Sequence, residues 1–194
     1  MAERRVWLVR HGETEWSKSG QHTGRTDIAL TPKGEQQAKA LGRLLAGRKF
    51  ALVLTSPMGR AQATARLAGI GDSAQVTDLL HEWNYGIYEG ITTKSVREKQ
   101  PDWTIWTTPI PEGETVEQVG ERAKRLIARI ESVDGDVALA AHGHILRILG
   151  AVWMGLPPIH GRNLALHTAT LSILGYERET RCIEVWNQSP VVDA

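Results

Sequence analysis

Short apolar runs alternate along this chain with longer segments in which apolar residues recur every three to four positions. Short apolar runs bounded by polar residues are typical of strands buried on both faces of a parallel sheet. Such apolar runs and segments rich in β-branched residues predict six strands, of which the last two form a hairpin. The predicted strands are residues 6–9, 51–55, 75–80, 136–141, 170–174 and 182–186. Strands separated by helical segments indicate an α/β domain.

The predicted helices carry recognisable start and stop signals. Thr31 and Pro32 supply an N-cap hydroxyl and a first-turn proline for a helix that a glycine ends at residue 47. Ser56 and Pro57 are expected to begin a second helix, which ends near residue 69. Further helices are expected at 92–100, at 115–134 after a capping box, and from 145 onward. Segments 13–28 and 81–90 show neither the three-to-four-residue spacing of a helix nor the alternation of a strand, and we predict loops there.

Composition narrows the class of protein. With 194 residues, 41% of them hydrophobic and 23% charged, we predict a single globular domain over 1–194. A net charge of +1 argues against nucleic-acid or polybasic membrane binding. The single cysteine, Cys182, cannot form an internal disulfide, and we expect a small core residue; the Cys and His spacing predicts no metal site. The amino terminus leads directly into a strand, so we expect a cytoplasmic protein. The apolar tail permits a homodimer without requiring one.

Candidate chemistry follows two of the predicted strands. Arg10, His11 and Gly12 come after the first strand, and His142 follows the strand at 136–141. In a parallel sheet these residues meet at one edge, where α/β proteins bind ligands. Arginine offers a planar fork of donors for phosphate, histidine a nucleophile or base, and glycine a close approach of the backbone to a ligand. An Arg-His pair alone is more often a structural pair than a catalytic one. Whether this pair is catalytic therefore depends on the other segments of the chain.

Three further charged residues have two interpretations each. Arg60 falls in the first turn of the second helix, where a phosphate site or a solvated surface arginine fits. Glu82 lies between a histidine and Trp83, so it is a general acid, a solvent-facing carboxylate or the partner of an arginine. Arg147 lies in the opening turns of the last helix, either toward the site or exposed.

Four motifs in order resemble the histidine phosphatase superfamily, in its phosphoglycerate mutase-like branch. They are Arg-His-Gly-Glu-Thr at 10–14, Ser-Pro at 56–57 with Arg60, Glu82 ahead of Tyr-Gly and Glu-Gly, and Ala-His-Gly-His at 141–144. The resemblance implies a three-layer α/β/α fold with a mostly parallel central sheet. It implies that His11 accepts the phosphoryl group, that Arg10, Arg60 and a protonated His142 hold the phosphate, and that Glu82 donates the proton, with no cofactor.

Within that family, the segments 14–24 and 82–90 resemble the sedoheptulose bisphosphatase branch and its bacterial acid phosphatase relatives. This narrower resemblance places six residues around the substrate: Thr23, Gly24, Trp83, Asn84, Tyr85 and Arg147. Arg147 is then available to a second phosphate or to sugar hydroxyls. Ser17 stands where much of the family has asparagine, and its shorter hydroxyl puts its contact with phosphate in doubt.

The sequence therefore predicts a metal-independent phosphomonoesterase that acts on a small phosphorylated metabolite, a sugar phosphate or bisphosphate. A phosphoglycerate mutase is the first alternative. The mutases carry Glu-Arg-His-Tyr-Gly where this chain has Glu-Trp-Asn-Tyr-Gly at 82–86, and they are longer. A non-catalytic module that binds phosphorylated ligands is the second alternative, and the presence of both histidines and both arginines argues against it.

Overall fold

Residues 4–191 of a computed structural model describe a mixed β-sheet with helices on both faces. Its strands are β1 (Val6–Arg10), β2 (Leu52–Thr55), β3 (Ala74–Val76), β4 (Val137–Ala141), β5 (Leu171–Glu177) and β6 (Thr180–Gln188). Its helices are α1 (Glu15–Ser19), α2 (Pro32–Leu45), α3 (Gly59–Leu67), α4 (Thr93–Arg97), α5 (Val116–Glu131) and α6 (Gly143–Trp153). Three short 3₁₀ turns lie at Asp78–Leu80, Gly86–Tyr88 and Pro158–Asn163.

The sheet order is β3-β2-β4-β1-β5-β6. The strands β3, β2, β4 and β1 are parallel, whereas β5 is antiparallel to both β1 and β6, and β5 and β6 form the predicted hairpin. Along β1, Val6 and Leu8 face one core and Trp7 and Val9 face the other. The helices α5 and α6 cover the first face, and α2 and α3 cover the second. The three-layer α/β/α architecture is confirmed, but the sheet is mixed rather than mostly parallel as expected, because the hairpin β5–β6 joins it antiparallel to β1.

The local start signals account for most of the predicted helices. The Thr31 hydroxyl accepts from the N–H of Gly34 with Pro32 in the first turn, and Thr115 and Gln118 form the capping box of α5. The helix predicted at 92–100 is shorter, at Thr93–Arg97. No helix in the described part of the chain is long and apolar enough to cross a membrane.

The structure corrects four local expectations. The predicted loop 13–28 contains α1, and the predicted strand 75–80 ends at residue 76 and gives way to a 3₁₀ turn. Ser56 and Pro57 do not begin α3, which starts at Gly59 because Asp27 Oδ2 accepts from the N–H of that glycine at 3.0 Å. Cys182 is only half-buried on the edge strand β6 and does not belong to the core.

Candidate active site

A cleft of about 220 Å³ lies beyond the carboxyl ends of β1 and β4. Arg10 pairs with Ala141 in the register of these parallel strands, so the residues that follow each strand become neighbours. Seven of the predicted site residues line the cleft: Arg10, His11, Ser17, Thr23, Glu82, Tyr85 and Arg147. The adjacency expected from the parallel sheet is confirmed, because the rings of His11 and His142 lie 5.2 Å apart.

His11 is buried and held in one tautomer. Its Nδ1 lies 2.8 Å from the carbonyl oxygen of Gly12, which can only accept, so Nδ1 carries the proton and Nε2 keeps its lone pair. Burial, followed by the charges of Arg10 and Arg60, lowers the pKa of His11 well below its ordinary value of 6.5. The ring is therefore neutral and presents a nucleophilic nitrogen.

Gly12 serves a different purpose from the one expected. A Cβ at this position would lie 2.3 Å from the carbonyl oxygen of Gly34, so the glycine lets the start of α2 pack against the end of β1. The close approach is therefore between two backbone segments. Its effect on the site is indirect, because it fixes the carbonyl that holds His11.

Arg10 combines a structural hydrogen bond with a free donor. Its Nη1 donates to the carbonyl oxygen of Leu166. Its Nε is buried and has no hydrogen-bond partner anywhere in residues 4–191. The guanidinium packs over Gly143, where an added Cβ would approach its Cζ to 3.2 Å. A buried, unpaired cationic donor beside the nucleophile is a feature that an anionic ligand would satisfy.

Arg60 and His142 lie next to the cleft but do not line it. Arg60 Nε donates to His142 Nδ1 at 3.2 Å, and His142 Nε2 lies 2.7 Å from the Ser56 hydroxyl. Burial and then the charge of Arg60 lower the pKa of His142 well below 6.5, so the protonated His142 expected from the sequence is wrong for this structure. Direct contact of either residue with phosphate would require these hydrogen bonds to exchange.

The backbone of the loop at residues 23–26 is held by hydrogen bonds with two charged side chains, Arg60 and Glu89. Arg60 donates to the carbonyl oxygens of Thr23, Gly24 and Thr26 at 2.8–3.2 Å. Glu89 Oε1 accepts from the N–H groups of Gly24 and Thr26 at 2.9 and 3.0 Å. Thr23 reaches the cleft from this loop, whereas Gly24 is buried beneath it. The main role of Arg60 in this conformation is thus to fix one wall of the cleft.

Glu82 caps helix α6 from a distant part of the chain. Its Oε2 accepts from the backbone N–H of His144 and its Oε1 from that of Ile145, both at 3.0 Å. Oε1 also accepts from the N–H of Trp83 at 2.9 Å. These donors include two orphan amides of the helix start, where the helix dipole favours a negative group. Oε2 has the fewer backbone partners of the two oxygens and is the one available to a ligand in the cleft.

The segment that carries Glu82 is anchored by Arg122 of α5. Arg122 makes a bidentate ion pair with Glu114, with Nε–Oε1 and Nη2–Oε2 distances of 2.8 and 2.9 Å. Its Nη1 donates to the carbonyl oxygens of Leu79 and His81, at 3.1 and 2.8 Å. Arg122 Nη2 also donates to the carbonyl oxygen of Glu82 at 3.4 Å, so α5 holds the backbone that carries the acid.

Ser17 lines the cleft, but its hydroxyl completes the capping box of α1. Its Oγ accepts from the N–H of Thr14 at 2.8 Å and donates to the Thr14 carbonyl oxygen at 2.9 Å. A hydroxyl has one proton to donate, and here that proton is used. The structure therefore favours a structural role for Ser17 over contact with phosphate.

Trp83 and Asn84 do not line the cleft. Trp83 is fully buried and donates its indole N–H to the carbonyl oxygen of Glu114 at 2.8 Å. The side chain of Asn84 closes its own loop, with Oδ1 accepting from the N–H of Gly86 and Nδ2 donating to the carbonyl oxygen of Glu112. Both residues therefore stabilise the segment behind the cleft and are not part of its lining.

Arg147 faces the cleft and is not an exposed helix arginine. Its Nε and Nη2 donate to the carbonyl oxygens of Gly161 and Arg162 at 3.1 and 3.0 Å. Its Cζ lies 4.7 Å from the centre of the Trp106 ring, a cation–π distance. These contacts hold a second positive charge in the same cleft as Arg10.

Sequence reasoning missed three polar residues that line the cleft: Gln21, His22 and His144. His144 belonged to the motif at 141–144, and its place in the first turn of α6 was a usable signal. Gln21 and His22 lie in a segment without periodicity, so nothing local marked them. Across residues 4–191, no group of three or more His, Cys, Asp or Glu side chains is arranged to hold a metal ion.

Two curated phosphatases are similar to this chain in sequence. The chain is 43% identical over 185 residues to an acid phosphatase of Mycobacterium tuberculosis, covering 93% of this chain and 91% of that protein. It is 39% identical over 184 residues to a sedoheptulose 1,7-bisphosphatase of Saccharomyces cerevisiae, with coverages of 78% and 68%.

The solved structure of an open reading frame product of M. tuberculosis superimposes with a TM-score of 0.89. Its sequence is 41% identical, and the match covers 96% of this chain and 98% of that one. Residues 6–189 match the family described as histidine phosphatase superfamily (branch 1), which confirms the resemblance drawn from the four motifs. Because this match spans nearly the whole sequence, the chain belongs to the histidine phosphatase superfamily.

Proposed function

We propose that this phosphoric monoester hydrolase acts on a small phosphorylated metabolite, a sugar phosphate or bisphosphate, through a phosphohistidine on His11 and without a metal. One observation carries the proposal: His11, with a neutral ring and a free Nε2, lines the same cleft as Arg10, whose buried Nε is unpaired. A nucleophile and an anion donor at the end of the same strand fit the transfer of a phosphoryl group.

In the first step, His11 Nε2 attacks phosphorus, and the bond from phosphorus to the ester oxygen breaks. Glu82 gives its proton to the departing alkoxide, which leaves as an alcohol. The transition state spreads negative charge over the peripheral phosphate oxygens. Arg10 neutralises that charge by contact, and the buried charge of Arg60 adds to the local potential through space.

In the second step, water attacks the phosphorus of the phosphohistidine, and the bond to Nε2 breaks. Glu82, now ionised, takes a proton from that water, which restores its protonated form. Inorganic phosphate leaves and His11 regains its lone pair. The sum is the conversion of ester and water into alcohol and phosphate.

The substrate class is supported by the size and charge of the cleft. A volume of about 220 Å³ suits a small metabolite. Arg147, on the same cleft, provides a second fixed cation for a further phosphate or for hydroxyl groups. Two similar proteins are named for phosphatase activity, one of them on a sugar bisphosphate.

The test is phosphate release from sugar monophosphates, sugar bisphosphates, phosphoglycerates and an aryl phosphate, with EDTA present. We expect release at an undiminished rate in EDTA, with a sugar phosphate or bisphosphate preferred. A rate that EDTA abolishes and added metal restores would contradict the metal-independent mechanism. Interconversion of 2- and 3-phosphoglycerate faster than hydrolysis would instead favour a mutase, and tight binding without turnover would favour a binding module.

A further inference from the structure

The ring of His144 packs against three aromatic side chains. Its centre lies 5.8 Å from that of Trp83, 5.7 Å from that of Tyr85 and 5.1 Å from that of Trp106. The first two contacts are edge-to-face, with interplanar angles of 87° and 75°. Such packing leaves the ring little freedom to rotate.

The hydroxyl of Tyr85 bonds to one of the two ring nitrogens of His144 and leaves the other without a protein partner. Tyr85 is buried, and its hydroxyl lies 2.6 Å from His144 Nδ1. Within residues 4–191, this is the one hydrogen bond found for the Tyr85 hydroxyl and for the ring of His144. Since His144 lines the cleft and its Nδ1 is already bonded, Nε2 is the ring nitrogen that remains for a ligand.

The position of His144 relates this atom to the leaving group. The backbone N–H of His144 holds Glu82 Oε2, and His144 Nδ1 lies 3.9 Å from that oxygen. In the proposed function, Glu82 protonates the ester oxygen of the leaving group. The carbon chain attached to that oxygen therefore begins close to the ring of His144.

We propose that His144 is a specificity-determining residue whose Nε2 hydrogen-bonds a hydroxyl group of the leaving alcohol, next to the ester, so that the enzyme prefers phosphate esters of polyols to those of simple alcohols. This inference rests on the proposed function. Tyr85 is its positioning residue, because its hydroxyl holds Nδ1 and so directs Nε2 toward the substrate.

A hydroxyl group is the partner that this arrangement fits best. Burial, followed by the charge of Arg147, lowers the pKa of His144 well below 6.5, so the ring is neutral. A neutral Nε2 either donates or accepts, depending on the proton shared with Tyr85, and a hydroxyl complements both states. An alkyl chain would cover Nε2 and leave it unpaired, which penalises the substrate that lacks the hydroxyl.

The experiment compares kcat/KM for glycerol 3-phosphate and n-propyl phosphate, which have the same number of carbons and differ by the hydroxyls. An aryl phosphate measured in parallel reports phosphatase activity that needs no such hydroxyl. In the wild-type enzyme we expect glycerol 3-phosphate to be preferred by about tenfold. His144→Phe keeps a flat ring without Nε2 and should bring the ratio near one, while His144→Gln restores a polar atom and should recover part of it.

Controls separate the two proposals. His167→Phe changes an exposed histidine that does not line the cleft, and it should keep the wild-type ratio. Equal rates for the two alkyl esters in the wild-type enzyme would overturn the role of His144 while leaving the phosphatase intact. A ratio unchanged in His144→Phe, or lost equally in His144→Gln, would also overturn it. No turnover of the aryl phosphate would contradict the proposed function itself.

Discussion

Arg60 Nε donates to His142 Nδ1 at 3.2 Å, and this hydrogen bond joins the first turn of α3 to the residue after β4. Because arginine can only donate, Nδ1 accepts, and the proton of the neutral ring lies on Nε2, which faces the Ser56 hydroxyl. The same guanidinium holds three carbonyl oxygens of the loop at 23–26. Two residues expected to bind phosphate thus bond to each other, and Arg60 also holds the loop that forms one wall of the cleft.

Replacing the nucleophile should stop turnover and keep the fold. We expect His11→Ala to reduce phosphate release by at least about a thousandfold, because no other nitrogen takes the place of Nε2. Rapid acid quench with radiolabelled substrate should show phosphohistidine in the wild type and none in the variant. The exposed His167→Ala is the matched control and should behave as wild type. Retained turnover in His11→Ala would refute the covalent role.

Removing the proposed acid should affect substrates unequally. Glu82→Gln keeps an oxygen for the amides of Trp83 and Ile145 but cannot transfer a proton. We expect a loss of about a hundredfold for alkyl phosphates, whose leaving alkoxide needs the proton, and less than about tenfold for an aryl phosphate. The check is kcat for both esters; equal losses would mean that Glu82 positions groups without acting as the acid.

The role of Ser17 can be settled by separating stability from binding. Ser17→Ala removes the capping box of α1 and should lower the free energy of unfolding by about 0.5–1 kcal/mol. It should change KM less than about threefold, since the hydroxyl already bonds to Thr14. Ser73→Ala, at an exposed serine that does not line the cleft, is the control and should leave both stability and KM unchanged. A rise in KM of tenfold or more would instead identify Ser17 as a phosphate ligand.

Breaking the ion pair behind Glu82 should cost both stability and rate. Burial alone would raise the pKa of Glu114, and the hydrogen bonds from Arg122 overcome this and lower it. Arg122→Leu leaves the Glu114 carboxylate without its ion-pair partner. We expect the free energy of unfolding to fall by about 3 kcal/mol, measured by urea denaturation. The double variant Arg122→Leu/Glu114→Leu should recover part of the stability. An unchanged kcat in Arg122→Leu would show that the pair does not position Glu82.

Stability should fall as the solution is acidified through the range of histidine titration. The pKa values of His11 and His142 lie well below 6.5 in the folded protein, whereas the unfolded chain takes up protons near 6.5. The unfolded state therefore binds more protons below that pH. From pH 7.5 to 5.5 each of these histidines should remove about 1 kcal/mol of unfolding free energy. Urea denaturation at pH 7.5, 6.5 and 5.5 checks this, and a rise in stability on acidification would contradict it.

The sequence anticipated those elements whose signals are local. The α2 helix appears where Thr31 and Pro32 predict it, because an N-cap and a first-turn proline act on the next few residues alone. The start of α3 was misplaced, since the cap of its first amide comes from Asp27, more than thirty residues away. The α1 helix was overlooked because Ser17, rather than glutamate or glutamine, completes its capping box.

The sequence by itself determined the order of strands and helices and the motifs that end β1 and β4, and with them the family. Tertiary structure alone decided what the polar groups at the site do. Glu82 caps α6 across more than sixty residues, Arg60 bonds to a loop and to His142, and the Tyr85 hydroxyl bonds to Nδ1 of His144. The physical reason is that apolar periodicity and caps act over a few residues, whereas a buried polar group takes whichever partner the packed layers bring within hydrogen-bond distance.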